Sequence, residues 1–135
     1  MGTTPTELLK FSDELLTGPS EAHHRSAASR AFLAVYHIVN DFLDNDLKLI
    51  RSGGTTYQSL LSDLSAYDGD YGTPFNYKVR GLGFAFRDLQ TIRIRADYNL
   101  EVIFSENEAK DAITQARKIE TSVMEFVEEI QNQSS

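Results

Sequence analysis

The sequence contains no cysteine, no tryptophan and only three prolines among its 135 residues. Without cysteine the chain cannot form disulfides, thiolate nucleophiles or cysteine-ligated metal sites. No apolar run approaches the roughly 18 residues that a membrane-spanning helix needs. The first ten residues, MGTTPTELLK, also lack the hydrophobic core of a signal peptide. We therefore predict a cytoplasmic protein with no membrane association, folded as a single domain over residues 1–135.

Positive charge is scarce and unevenly placed along the chain. The formal net charge is −7 at neutral pH, so the surface as a whole is poorly suited to bind a phosphate backbone. Between residues 78 and 95, however, five lysine and arginine residues accompany a single acidic one, Asp88. Any contact with phosphate groups is therefore expected to be local.

Apolar residues recur with the period of an α-helix through most of the sequence, and no segment alternates long enough to compete as a strand. Gly-Pro at 18–19, RSGGTT at 51–56 and DGDYGTP at 68–74 interrupt the pattern, and SENE at 105–108 is a capping box. We predict an all-α, antiparallel bundle of four to five helices with its core over about residues 5–131. The expected segments are 5–17, 20–49, 56–67, 76–98 and 105–131.

Arg93 falls on the apolar side of the helix expected at 76–98, together with Phe86 and Leu89, whereas Arg95 falls on the opposite side. An unpaired charge on a buried face costs several kcal/mol, so Arg93 needs a partner or an opening. In one interpretation it extends towards solvent at the helix end or pairs with Asp97, one turn later. In the other, it lines a functional groove between subunits.

Motifs of metal and cofactor chemistry are missing. There is no HExxH or paired Glu-x-x-His motif, and no Gly-x-Gly-x-x-Gly follows a strand. The adjacent His23 and His24 would point about 100° apart on a helix and do not form a metal site alone. We expect neither a metal nor a cofactor.

Two motifs carry a family resemblance. SAASRAFLAVYHIVNDFL at 26–43 contains Ser-Arg-Ala-aromatic followed by Ala, aromatic and His, and RIRADYNL at 93–100 contains Arg, two variable residues and Ala-Asp-Tyr. With the capped, alanine-rich last helix they resemble the short prokaryotic HEPN-domain proteins over about residues 8–130. Leu33 stands where the family pattern has a second aromatic residue. The matching residues are Ser29, Arg30, Ala31, Phe32, Ala34, Tyr36, His37, Arg93, Ala96, Asp97 and Tyr98.

The resemblance implies a HEPN-like fold and an expected site. Many HEPN domains are metal-independent endoribonucleases with an arginine and a histidine four to six residues apart, and two such motifs meet across a dimer. Arg93 matches the arginine, but Tyr98 occupies the histidine position and no histidine follows it. A phenol has a pKa near 10 and an imidazole about 6.5, so a tyrosine is a poor base at neutral pH. The expected catalytic positions are Arg93, Tyr98 and Asp97.

Other polar residues of the two long helices are candidates for substrate contact. His37 shares a helix face with Arg30 and Asp41, and it would approach Arg93 if the two long helices pack side by side. Alternatively, His37 is an exposed residue on a solvated, charged face. The positions expected to bind substrate are Arg30, His37, Arg87 and Arg95.

The sequence leaves three functions open. The first is a HEPN-like subunit of a two-component module, toxin–antitoxin or defence-like, that binds RNA, a nucleotide or a small nucleotidyltransferase partner. The second is a toxin-like, metal-independent endoribonuclease with a degenerate Arg-x4-Tyr site, and the third is a structural dimerisation domain. A homodimer is expected, because the two long helices look apolar over more than half their circumference and because the resemblance implies one.

Overall fold

A computed structural model of the chain describes residues 2–53 and 56–134. These residues form five α-helices and no strand, which confirms the predicted all-α bundle. A π-helical turn, Phe42–Asp46, continues the second helix. The helices are α1 (Pro5–Leu16), α2 (Glu21–Asp41), α3 (Tyr57–Ser65), α4 (Thr73–Tyr98) and α5 (Glu106–Ser134).

Serine and threonine side chains set most of the helix starts. Each accepts a hydrogen bond from a backbone N–H in the first turn, which satisfies a donor that has no partner inside the helix. The capping box predicted at SENE is confirmed, since Glu108 also accepts a hydrogen bond from the backbone of Ser105 at 3.4 Å. The four capping residues are Thr4, Ser20, Thr56 and Ser105.

Two predicted boundaries were displaced. α4 begins at Thr73 rather than near residue 76, because Pro74 suits the first turn of a helix and Gly72, with φ of 106°, supplies the turn that precedes it. The second helix does not run to residue 49. Its regular hydrogen bonding ends at Asp41, and Lys48, with φ of 52°, lies outside the π-helical turn.

α2 is the central helix and packs against α1, α4 and α5. Its buried face is rich in alanine, which lets neighbouring backbones approach closely, and it carries Phe32, whose ring stacks on Phe86 of α4 at 5.4 Å between centroids. The short α3 packs on α4 beside Gly83, where an added Cβ would lie 3.4 Å from the Ser65 hydroxyl. None of the described helices has the length and the hydropathy of a membrane-spanning segment.

Candidate functional site

A cleft of about 650 Å³ opens between α2, α3 and the C-terminal part of α4, and we call it the Arg93 cleft. It combines charged and aromatic side chains from all three helices. The residues that define it are Ser29, Phe32 and Tyr36 from α2, Tyr57 from α3, and Arg93 and Tyr98 from α4. Because α2 and α4 also pack through the core, the two halves of this cleft are held by the bundle itself.

Arg93 is the central cation of the cleft. Its Nε forms an ion pair with the Asp97 carboxylate, with 2.8 Å between Nε and Oδ2. Its guanidinium carbon lies 5.4 Å from the Phe32 ring centre and 5.3 Å from that of Tyr98. The same carboxylate oxygen accepts a hydrogen bond from the Ser29 hydroxyl at 3.1 Å. Within residues 2–53 and 56–134, no hydrogen bond uses the terminal amino groups of Arg93.

Of the two sequence interpretations of Arg93, the structure bears on the first. The i, i+4 pair with Asp97 is confirmed, and the same side chain lines an open cleft within one chain. Only about a quarter of the Arg93 and Asp97 side chains is exposed, so the pair is partly shielded from water. A groove between subunits at this position stays a prediction.

The two motifs that suggested the family meet at this cleft. Ser29 of the first motif bonds Asp97 of the second, and Phe32 of the first packs against the Arg93 guanidinium of the second. Tyr98 lies at the mouth with 66% of its surface exposed. Arg30 is exposed and also lines the cleft.

Three of the proposed substrate contacts lie away from these residues. His37 is exposed and contacts the neighbouring Tyr36 ring, and it forms no ion pair with Asp41 in the region described. Arg87 is exposed on another face of α4. Arg95 points towards α5, where its Nη2 lies 3.0 Å from the Glu108 carboxylate. None of the three lines the Arg93 cleft.

Two residues that shape the site were not predicted from the sequence. Tyr57 closes the cleft from α3, with its ring 6.3 Å from that of Phe32, and no local pattern announces this long-range contact. Arg25 of α2 is buried against the C-terminal end of α4. Its spacing of four residues before Ser29, on the same helix face, was the available signal.

A partly buried ion-pair cluster holds Arg51 and Ser52 against α3. Arg51 donates Nε to Asp63 at 2.6 Å and Nη1 to Asn40 and Asp44 at 2.9 and 2.8 Å. Burial alone would raise the pKa of Asp63, but hydrogen bonds from Arg51 and Ser52 outweigh it and hold that pKa below its ordinary value. Burial opposes the charge of Arg51, yet the two carboxylates raise its pKa. The cluster thereby fixes the α3 wall of the cleft.

The chemistry available here is recognition of an anion beside aromatic rings. Among the residues whose placement is described, no group of three or more histidine and carboxylate side chains could hold a metal ion. No protein-family model, curated protein or solved structure matches the chain.

Proposed function

We propose that the Arg93 cleft binds the phosphate of a nucleotide, free or within RNA, and that the protein is a non-catalytic, HEPN-like subunit of a two-component module of the toxin–antitoxin or defence type. One observation carries the proposal. The guanidinium of Arg93 is paired through Nε with Asp97, its two terminal amino groups carry no hydrogen bond to any described residue, and the side chain lines an open, aromatic cleft.

The geometry suits a phosphate because a guanidinium presents parallel N–H donors to phosphate oxygens, and charge-assisted hydrogen bonds are the strong ones. Asp97 and the Phe32 ring hold the guanidinium in place, which lowers the entropy lost on binding. Arg30 supplies a second positive charge at the same cleft.

The base of a nucleotide has aromatic partners in the same cleft. Tyr36, Tyr57 and Tyr98 all contribute to its lining, and stacking of a base on an aromatic side chain is worth about 1–3 kcal/mol. The volume of about 650 Å³ falls within the range of about 300–1,000 Å³ typical of small-molecule sites. Because the protein carries a net charge of −7, its surface as a whole repels a long phosphate backbone. Recognition of one or a few nucleotides at the cleft therefore fits best.

A second candidate is the toxin-like, metal-independent endoribonuclease. The observation in its favour is that Tyr98 lies against Arg93 at the cleft mouth, where a hydroxyl and a phosphate-binding cation would both reach RNA. Against it, no histidine lines the cleft, and a phenol is a poor general base near neutral pH. Binding without cleavage is therefore the proposal that the geometry supports better.

The proposed partners follow from the resemblance and from the surface beside the cleft. Short HEPN-like proteins are often encoded beside a small nucleotidyltransferase, which we propose as the second component. Tyr98, Leu100 and Ile103 expose 66%, 69% and 83% of their surface around the end of α4. Exposed apolar groups of this kind are typical of interaction surfaces and support the proposed homodimer.

Isothermal titration of the purified protein with AMP and with a short oligoadenylate tests this function. Arg93→Gln removes the cation and keeps a polar side chain, and a charge-assisted hydrogen bond of about 1.5–3 kcal/mol corresponds to roughly ten- to hundredfold weaker binding. Arg117→Gln is the matched control, because Arg117 pairs with Asp13 and lies outside the cleft. Equal binding by wild type and Arg93→Gln would refute the proposal.

Incubation with total RNA and tRNA in EDTA separates the two candidates. A non-catalytic subunit leaves the RNA intact, at the background of the Arg93→Ala variant. Cleavage by wild type that is lost in Arg93→Ala would instead establish the endoribonuclease.

A further inference from the structure

A buried arginine of α2 closes the C-terminal end of α4. Nη1 of Arg25 donates to the backbone carbonyls of Arg95, Ala96 and Asn99 at 2.9, 3.0 and 3.2 Å, and Nη2 donates to that of Val102. Only 10% of the Arg25 side chain is exposed. One side chain thus binds both the last turn of α4 and the connection that follows it.

The end of α4 requires such a partner. The last carbonyls of a helix have no intrahelical donor and carry the negative end of the helix dipole, so a buried end needs donors and positive charge. A guanidinium meets both needs, since it carries five N–H groups in a planar fork and stays protonated. The buried charge of Arg25 is in turn offset by these carbonyls and by Glu21, 3.8 Å away.

The connection between α4 and α5 is anchored at its far end by the same turn of α2. Glu21 accepts a hydrogen bond from the backbone N–H of Phe104, and the Arg25 guanidinium carbon lies 5.5 Å from the Phe104 ring centre. Glu21, Arg25 and Ser29 follow each other at intervals of four residues, so they form one stripe of α2. This stripe contacts the chain from Arg95 to Phe104 along its length.

We infer that Arg25 is a positioning residue for the Arg93 cleft. Asp97 and Tyr98 lie between the carbonyls of Ala96 and Asn99 that Arg25 binds. If this turn unwinds, the carboxylate that holds Arg93 Nε moves away from it, and the Tyr98 ring leaves the cleft mouth. The effect of Arg25 on ligand affinity rests on the proposed function, whereas its effect on the Arg93–Asp97 pair does not.

Solvent exchange of arginine Nε–H groups, followed by ¹⁵N NMR on the full chain without ligand, measures this positioning. The ion pair of Arg93 Nε with Asp97 shields Nε–H from water. Arg51 donates its Nε–H to Asp63 in a cluster that Arg25 does not contact, so Arg51 is an internal control. In Arg25→Met we expect Arg93 Nε–H to exchange about tenfold faster and Arg51 Nε–H to change less than about twofold. Arg117→Met should change neither rate.

Affinity for AMP in the same variants connects positioning to binding. If only about one molecule in ten keeps the cleft formed, apparent affinity falls about tenfold. Arg25→Lys keeps the charge but has no planar fork, so we expect a smaller change in the same direction, and it replaces Arg25→Met if that variant does not fold by circular dichroism.

The outcomes separate the two proposals. Selective acceleration of Arg93 exchange together with weaker AMP binding supports both. Selective acceleration in a protein whose wild type binds no AMP supports positioning by Arg25 and refutes nucleotide binding. Equal acceleration at Arg93 and Arg51 would show only a loss of global stability, and unchanged exchange at Arg93 would show that Arg25 does not hold the pair. Either of these last two results overturns the inference.

Discussion

Asp63→Asn tests the physical account of how the α3 wall is held. The Asp63 side chain is 7% exposed and accepts hydrogen bonds from Arg51 Nε at 2.6 Å and from the Ser52 backbone at 3.2 Å. Removing one partner of a fully buried ion pair costs about 3–5 kcal/mol. In Asp63→Asn, Arg51 keeps its pair with Asp44, and the Arg51 side chain is 16% exposed, so the loss is smaller than for a fully buried pair. We expect the substitution to lower the free energy of unfolding by about 2 kcal/mol.

The same substitution makes a prediction about pH. The pKa of Asp63 in the folded protein lies below its unfolded value of about 3.9, so its ionised form favours the folded state. This contribution is fully present above about pH 5 and is lost as the pH falls through the folded pKa. The difference in unfolding free energy between wild type and Asp63→Asn should therefore shrink near pH 3.

Urea unfolding followed by circular dichroism, near neutral pH and near pH 3, measures both effects. Asp68→Asn is the matched control, because Asp68 is 85% exposed and lies 3.7 Å from Arg80, a surface pair whose loss costs about 0.5 kcal/mol or less. The reasoning is refuted if Asp63→Asn costs no more than Asp68→Asn, or if the difference from wild type is the same at both pH values.

Two further predictions address the core and the oligomer. Phe86→Ala removes a fully buried ring that stacks on Phe32, so it should lower the free energy of unfolding by about 3–5 kcal/mol. The control is Phe84→Ala, whose ring is 67% exposed and which should change that free energy by about 0.5 kcal/mol or less. Chemical denaturation measures both, and equal losses would contradict the assigned burial. Light scattering at tens of micromolar should give twice the chain mass, and a monomer would contradict the proposed homodimer.

Helical periodicity was sufficient to predict the bundle because burial in α2 and α4 follows the 3.6-residue repeat closely. Ala28, Phe32 and Val35 are buried, while Arg30 and His37 on the opposite side of α2 are exposed. Boundaries were predicted less well where one residue changed the local geometry. The turn-rich DGDYGTP pattern predicts a loop that includes Pro74, but Pro74 lies in the first turn of α4, where a helix accommodates proline without loss of a hydrogen bond.

The candidate site was only partly predictable for a related reason. A helical wheel gives the direction of Arg93 and its neighbour Asp97, and that pair is confirmed. A helical wheel does not show which residues of another helix pack against a side chain. The partners of Arg25, about seventy residues further along the chain, were therefore not predicted. Backbone carbonyls carry no sequence signature, and the enclosure of the cleft by Tyr57 depends on the packing of α3.

A titration of the ¹⁵N-labelled protein with AMP tests the central claim most directly, because it locates the bound phosphate. We expect the largest chemical-shift changes at Arg93 Nε–H and at the backbone amides of Asp97, Tyr98 and Tyr57. The groove between α4 and α5 is the alternative place for phosphate, because Lys78 and Lys118 line it, although Glu125 and Glu129 line it too. Shifts centred on those two lysines, with Arg93 unchanged, would contradict the account.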